Sequence, residues 1–262
     1  MIQHLTVLTG ASRGIGLALA KQLLAPNTIL LCLSRHANPL LTTAAAQCGA
    51  TLEQWQQDLA CPEPVATRLR EWLKNQNPGK LASATLINNA GVLPALKALR
   101  DSDPKELAMA LRVGLEAPML LCSAFLKATQ SWTVPRKILN ISSGLGRRAM
   151  ASQSAYCAAK AGMDHFTRCM ALDEAIHPNG ARVCSLAPGV IDTDMQLQLR
   201  NADKSEFPDQ ESFSNLHLRG QLTSPEHAAS QLRTYLARPD FGNPVIADVR
   251  DALNSTNYAK QN

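Results

Sequence analysis

The stretch from Leu5 to Leu24 constrains the fold more than any other part of the chain. Leu5-Thr6-Val7-Leu8-Thr9 is a short apolar run with β-branched residues, the composition of a buried strand. It stops at Gly10-Ala11-Ser12-Arg13-Gly14-Ile15-Gly16, and Leu17, Ala20, Leu23 and Leu24 then recur at helical spacing. In such a unit the glycines let a ligand approach the backbone, and the helix start offers unpaired N–H groups at the positive end of its dipole. A dinucleotide pyrophosphate fits that geometry. Taken singly, a G-x-x-x-G-x-G run is also compatible with an ordinary strand-to-helix turn, so the rest of the chain has to decide.

The rest of the chain repeats the alternation. Strands are expected near 5–9, 28–33, 51–56, 84–88, 136–142, 182–187 and 244–248. Helices are expected near 14–24, 38–48, 62–75, 104–112, 115–131, 153–176 and 224–237. Thr28 to Leu33 is apolar throughout, as a parallel strand covered on both faces requires. This pattern, without internal repeats, predicts one α/β domain over residues 1–251. It is a Rossmann fold with a seven-stranded, mostly parallel, doubly wound sheet, followed by a tail at 252–262. Ligands of such sheets bind at the carboxyl ends of the strands, where Gly10, Ser34, Asn89, Ser143 and Pro188 fall. Residues 194–222 are polar and weakly periodic, which reads as a long functional loop or a plain surface insertion.

Several classes are disfavoured. The seven cysteines contain no C-x-x-C pair and several lie in apolar runs, so they read as reduced core residues of a cytoplasmic protein, with no disulfide and no metal site. No run approaches 18 consecutive apolar residues and no signal-peptide pattern is present, so no membrane association is expected. The net charge of +5 is not gathered into a basic run with aromatics, which argues against nucleic acid.

Tyr156-Cys157-Ala158-Ala159-Lys160 places a phenol and an ammonium four residues apart, on one face of a helix. The cation is expected to lower the phenol's pKa and make it a usable proton donor. The glycine turn and this pair occur with Asn88-Asn89-Ala90-Gly91, Ile141-Ser142-Ser143-Gly144 and Pro188-Gly189-Val190-Ile191-Asp192-Thr193. In that order the five motifs resemble the short-chain dehydrogenase/reductase family, from about residue 3 to 250. The resemblance implies an oxidoreductase acting on CH–OH or C=O groups, with Ser143, Tyr156 and Lys160 as the catalytic set. Ser143, rather than Ser142, stands 13 residues before Tyr156, the family's separation. It also implies that 194–222 is a substrate lid.

The second strand ends Leu33-Ser34-Arg35-His36, with no acidic residue to hold an adenosine ribose. Arg35 and Arg13 instead suit a 2′-phosphate, so the expected cofactor is NADP(H). The binding residues implied are Gly10, Ser12, Arg13, Gly14, Ile15 and Gly16, with Ser34, Arg35, Asp58 and Leu59. Asn89, Ala90, Gly91, Tyr156, Lys160, Pro188, Gly189, Ile191 and Thr193 complete them, Thr193 at the nicotinamide carboxamide. Asp58 reads equally as an adenine contact or a helix cap. One position departs from the family. Gly114 stands where many members carry an Asn that supports a proton-relaying water.

The segment Ala187 to Gln196, with Leu218 to Leu222 and Asp248 to Asp251, is similar to the sepiapterin reductase and bacterial benzil reductase branch. This implies reduction of a small-molecule carbonyl substrate, a vicinal diketone or α-hydroxyketone, with Ser143 and Asp251 contacting it. In the resembling branch an Asp of the tail segment grips a pterin; a solvated chain end is the plainer reading of Asp251. A β-ketoacyl thioester or general carbonyl reductase is the alternative, and from another class a non-catalytic NADPH-binding protein. Broad apolar faces on helices 115–131 and 153–176 allow a homodimer or homotetramer, although a face buried within the chain would look the same.

Overall fold

The structure, a computed structural model, describes residues 2–251. Seven strands form one sheet in the order β3-β2-β1-β4-β5-β6-β7: β1 (Gln3–Thr9), β2 (Thr28–Ser34), β3 (Thr51–Gln56), β4 (Leu81–Asn88), β5 (Arg136–Ile141), β6 (Arg182–Ala187) and β7 (Ile246–Asp248). Every pairing is parallel; Val7 of β1, for example, lies opposite Leu31 of β2 and Leu86 of β4. The chain winds outward from β1 to β3, then returns to β4 on the other side of β1. That reversal opens a crevice at the carboxyl ends of β1 and β4.

The helices cover both faces. Successive strand residues alternate between two cores, because side chains in a strand point to opposite sides. Leu5, Val7, Leu31 and Leu33 meet Leu69 and Leu73 of α3 (Pro62–Lys74), Leu121 and Phe125 of α5 (Ala117–Thr129) and Met170 of α6 (Ser154–Ala175). Leu8, Leu30 and Cys32 meet Leu19 of α1 (Gly14–Leu23), Leu41 of α2 (Pro39–Cys48) and Leu232 of α9 (Pro225–Ala237). All seven cysteines are free thiols.

Three elements differ from the sequence expectation. The helices expected at 104–112 and 115–131 form one continuous rod, in which α4 (Pro104–Leu111) runs into α5 through a π-turn at Arg112–Glu116. Pro118 explains the turn. It has no N–H to give the carbonyl four residues back, at Gly114, and its ring crowds that carbonyl, so the helix widens there. The rod at Pro104–Thr129 is long and apolar enough to cross a membrane, but half of its apolar window is buried inside the protein. Secondly, the stretch 194–222 is not irregular. It contains α7 (Asp194–Arg200) and α8 (Gln210–Leu218), and Leu199, Phe207 and Phe213 pack with Leu96 as a small third core. Thirdly, β7 begins two residues later than expected, after Pro244, which has no N–H for a ladder. The tail expected at 252–262 lies outside the described residues.

Candidate active site

The crevice continues as two connected hollows. One, of about 480 Å³, runs along the glycine turn and the end of β2; the other, of about 310 Å³, lies over the start of α6. Ile15, Asn89, Gly91, Thr193 and Met195 line both.

The first hollow has the properties of a dinucleotide groove. A Cβ at Gly16 would stand 2.0 Å from the Gly10 carbonyl oxygen, and one at Gly10 would stand 2.9 Å from Ala90 Cα. Only glycine permits this closeness, and Gly10 also has a left-handed φ of 71°. Thr9 Oγ1 accepts from the backbone N–H groups of Asn89 and Ala90, both at 2.9 Å, and Asn89 Nδ2 donates back to the Thr9 carbonyl at 3.0 Å. The ends of β1 and β4 are thereby fixed side by side. α1 starts at the turn with no side-chain cap and no acidic residue in its first turn, so its N–H groups stay available to an anion. Ser34 Oγ is buried without a hydrogen-bond partner. An orphaned hydroxyl at the end of β2 is what a ribose or its phosphate would satisfy. The groove thus fits a nicotinamide dinucleotide.

All the sequence-derived groove residues from Gly10 to Gly91, and Thr193, line this hollow; Tyr156, Lys160, Pro188, Gly189 and Ile191 line the second. Asp58 lines it and also accepts from Ala60 N–H at 2.9 Å in a local turn, while Cys61 holds the α3 cap position. Arg13 is held by Asp194 of α7 at 2.7 Å, across the mouth of the groove.

In the second hollow, Ser143 follows β5 and Tyr156 and Lys160 stand on the first turns of α6. Ser143 lies beside Tyr156 and, as a hydrogen-bonding neighbour, acts to lower the phenol's pKa. Lys160 is buried and its Nζ donates to the Ile141 carbonyl at 2.7 Å. The expected lowering of the phenol by the lysine is not present: burial pushes Tyr156 up to about 12, against a lowering from the Ser143 hydrogen bond. Burial pulls Lys160 down to about 8, opposed by the nearby Asp164 carboxylate. The lysine's Nζ is 5.8 Å from the centre of the tyrosine ring and is committed to the strand instead.

Gly114 sits where the rod crosses α6. A Cβ there would meet Ala159 Cβ at 3.0 Å, and one at Gly162 would meet Leu115 Cδ2 at 2.9 Å. The glycine that departs from the family pattern therefore serves a close helix contact one residue from Lys160. Asp251 is exposed and does not line the hollow; its neighbours Asp248 and Arg250 do, joined by hydrogen bonds of 2.9 and 2.7 Å.

Sequence reasoning missed two sets of residues. Buried Asp164 accepts from Ser185 Oγ at 2.6 Å and pairs with Arg147 at 3.3 Å, tying α6 to β6 and to the turn after Ser143. Buried Gln153 and Gln196 line the second hollow. Their sequence signal is slight: Gln153 stands three residues before Tyr156, and Gln196, three after Thr193, closes the segment from Ala187 without any role marked for it.

A phosphate-binding turn, a groove for a dinucleotide and a tyrosine, lysine and serine at its inner end define a nicotinamide-dependent oxidoreductase of the Rossmann type. The chain belongs to the short-chain dehydrogenase family, whose model matches residues 4–204. It is similar to a Bacillus cereus benzil reductase that forms (S)-benzoin, at 34% identity over 90% of this chain and 94% of that one. It is also similar to the sepiapterin reductase of Meriones unguiculatus, at 31% identity over 94% and 95% of the two chains. Among solved structures the KRED1-Pglu enzyme superposes with a TM-score of 0.76 at 28% identity, over 90% of this chain and 95% of that one. The expected family and branch are borne out. The protein is an oxidoreductase acting on carbonyl and hydroxyl groups.

Proposed function

We propose that this protein is an NADPH-dependent carbonyl reductase of vicinal diketones or α-hydroxyketones, working in the cytoplasm as a homodimer or homotetramer. The observation that carries the cofactor choice is the end of β2: Ser34 Oγ is buried and unpaired, Arg35 is exposed beside it, and Arg35 and His36 follow with no carboxylate. A guanidinium meets a 2′-phosphate with charge-assisted hydrogen bonds, whereas a ribose hydroxyl gives it little. The benzil and sepiapterin reductases to which the chain is similar support the substrate class.

When bound, the reduced nicotinamide supplies a hydride to the carbonyl carbon. Ser143 Oγ donates a hydrogen bond to the carbonyl oxygen, and the Tyr156 phenol gives that oxygen its proton as negative charge develops. The raised Tyr156 pKa keeps the phenol protonated and ready to donate at neutral pH. Lys160, which gives one of its three N–H donors to the Ile141 carbonyl, would hold the nicotinamide ribose with the others. Residues 194–222, with α7 and α8, close over the substrate from Thr193 onward.

Steady-state kinetics on benzil with each cofactor tests this reading. NADPH is expected to be favoured over NADH by roughly 1.5–3 kcal/mol, about tenfold to a hundredfold. Arg35→Asp should reverse the preference. Equal efficiency with both cofactors would remove the NADPH assignment, and no turnover of benzil would remove the substrate class.

A further inference from the structure

The residues that line the hollow over Tyr156 carry four buried polar atoms without partners among the described residues. Gln153 is 1% exposed with both Oε1 and Nε2 unpaired; Gln196 is 3% exposed with Oε1 unpaired; Ser142 Oγ is the fourth. Buried amides in proteins are nearly always hydrogen-bonded, and one left open in a binding hollow is a sign of a ligand group it receives. The Gln153 backbone is fixed, since its carbonyl accepts from Cys157 N–H at 2.8 Å, so its side chain stands one helical turn ahead of the phenol.

The remaining walls say what kind of group that is. Leu93, Leu145, Val190, Met195, Leu199 and Phe213 are apolar and suit a hydrophobic body. Arg250 is already matched by both carboxylate oxygens of Asp248, and Arg148 is exposed. Gln153 Nε2 is a neutral donor and matches a keto or hydroxyl oxygen, whereas the two amide oxygens can accept only from a hydroxyl; none carries the charge that a carboxylate or phosphate calls for.

We propose that Gln153 Nε2 donates to a second neutral oxygen on the carbon next to the carbonyl being reduced, and that Gln196 Oε1 accepts from that oxygen where it is a hydroxyl. The pair thereby selects vicinally dioxygenated ketones and decides which carbonyl meets Tyr156. This rests on the carbonyl-reductase reading above and assigns its selectivity to two residues. A site built to hydrogen-bond a substrate oxygen discriminates against the analogue lacking it, because its own buried groups are then left unpaired.

The test compares benzil with deoxybenzoin, which has the same skeleton without the second oxygen. With the full-length enzyme and NADPH, the ratio of kcat/KM for benzil to that for deoxybenzoin is measured for wild type and Gln153→Met. The expected result is a ratio at least tenfold smaller in the variant, with NADPH affinity unchanged in a fluorescence titration. If Gln153→Met fails to fold, Gln153→Leu carries the same comparison. A ratio within twofold of wild type, including an equal loss on both substrates, overturns the role of the amides and leaves the diketone reading standing. A wild type that does not prefer benzil after allowance for the two ketones' borohydride reduction rates overturns both.

Discussion

Burial moves Tyr156 and Lys160 in opposite directions, and each movement has a measurable consequence. Tyr156, raised to about 12, stays a proton donor at all ordinary pH, so it does not set the pH profile. Lys160, lowered to about 8, does. We expect kcat/KM for reduction to be flat between pH 6 and 7 and to fall above about pH 8, as the ammonium proposed to hold the ribose is lost; a profile rising through that range would contradict the role. Tyr156→Phe should lower kcat by at least about a hundredfold, the low end for a general acid, while leaving NADPH binding close to wild type. The lysine also affects stability. Burial penalises its charge only in the folded state, so the penalty is full below about pH 8 and fades as pH rises toward the ordinary 10.5. That interval corresponds to roughly 3 kcal/mol, offset by about 1 kcal/mol for the hydrogen bond to Ile141. Lys160→Met should therefore be inactive yet unfold at higher denaturant at pH 7, with the gain shrinking by pH 10. At this scale the sequence carried Ser143, Tyr156 and Lys160, because fixed spacings bring them together. Gln153, Gln196 and Asp164 were not legible, because what marks them is burial under parts of the chain far away in the sequence.

Among the elements, strands and helices were legible wherever an apolar run is bounded by turn residues, as with Leu5–Thr9 before Gly10. The joint between α4 and α5 was not, because a glycine followed by Pro118 reads as a helix break. Tertiary packing decides otherwise: the rod is held against the sheet by Leu121 and Phe125 and against α6 by Gly114 over Ala159. This gives an element-scale test. In an open helix Gly114→Ala would gain up to about 1 kcal/mol from helix propensity. Here the added methyl would stand 3.0 Å from Ala159 Cβ, and overpacking of that kind costs roughly 1–3 kcal/mol. A net loss of about 1 kcal/mol is expected in chemical denaturation, largely recovered by Ala159→Gly in the same chain. A stabilised single variant would show that the two helices separate easily. The bulkier Gly114→Asn is expected to perturb α6 next to Lys160, so it should lower turnover even if its amide holds a water. Helices α7 and α8 were missed for a related reason: at seven and nine residues they are too short for an apolar stripe to repeat, and they are fixed by Phe207 and Leu199 packing on Leu96.

For the whole molecule, the outer side of the α5–α6 pair remains. Met119, Leu172 and Ile176 are 46%, 73% and 78% exposed, and the exposed positions Ala161, His165, Cys169 and Leu172 of α6 recur at helical spacing up to its C-cap Ile176, apolar but for the histidine. Inside the chain, α6 packs on the π-turn before α5 through Leu115 against Gly162, so the apolar faces expected from the sequence divide in two, one turned inward and one outward. An outward apolar stripe of this kind marks a contact surface, and a twofold axis lets one stripe cover its own copy. Four buried side chains, Leu172 and Ile176 from each of two copies, are worth roughly 2 kcal/mol apiece. Replacing both by Asp should weaken association by at least about a thousandfold, at 1.4 kcal/mol per decade. Light scattering at micromolar concentration is expected to give a dimer or tetramer for the wild type and a smaller species for Leu172→Asp with Ile176→Asp. Because the stripe lies away from the hollow over Tyr156, the variant should still bind NADPH. A monomeric wild type would leave the stripe without a partner of its own kind, and an unchanged mass in the double variant would move the interface to another face.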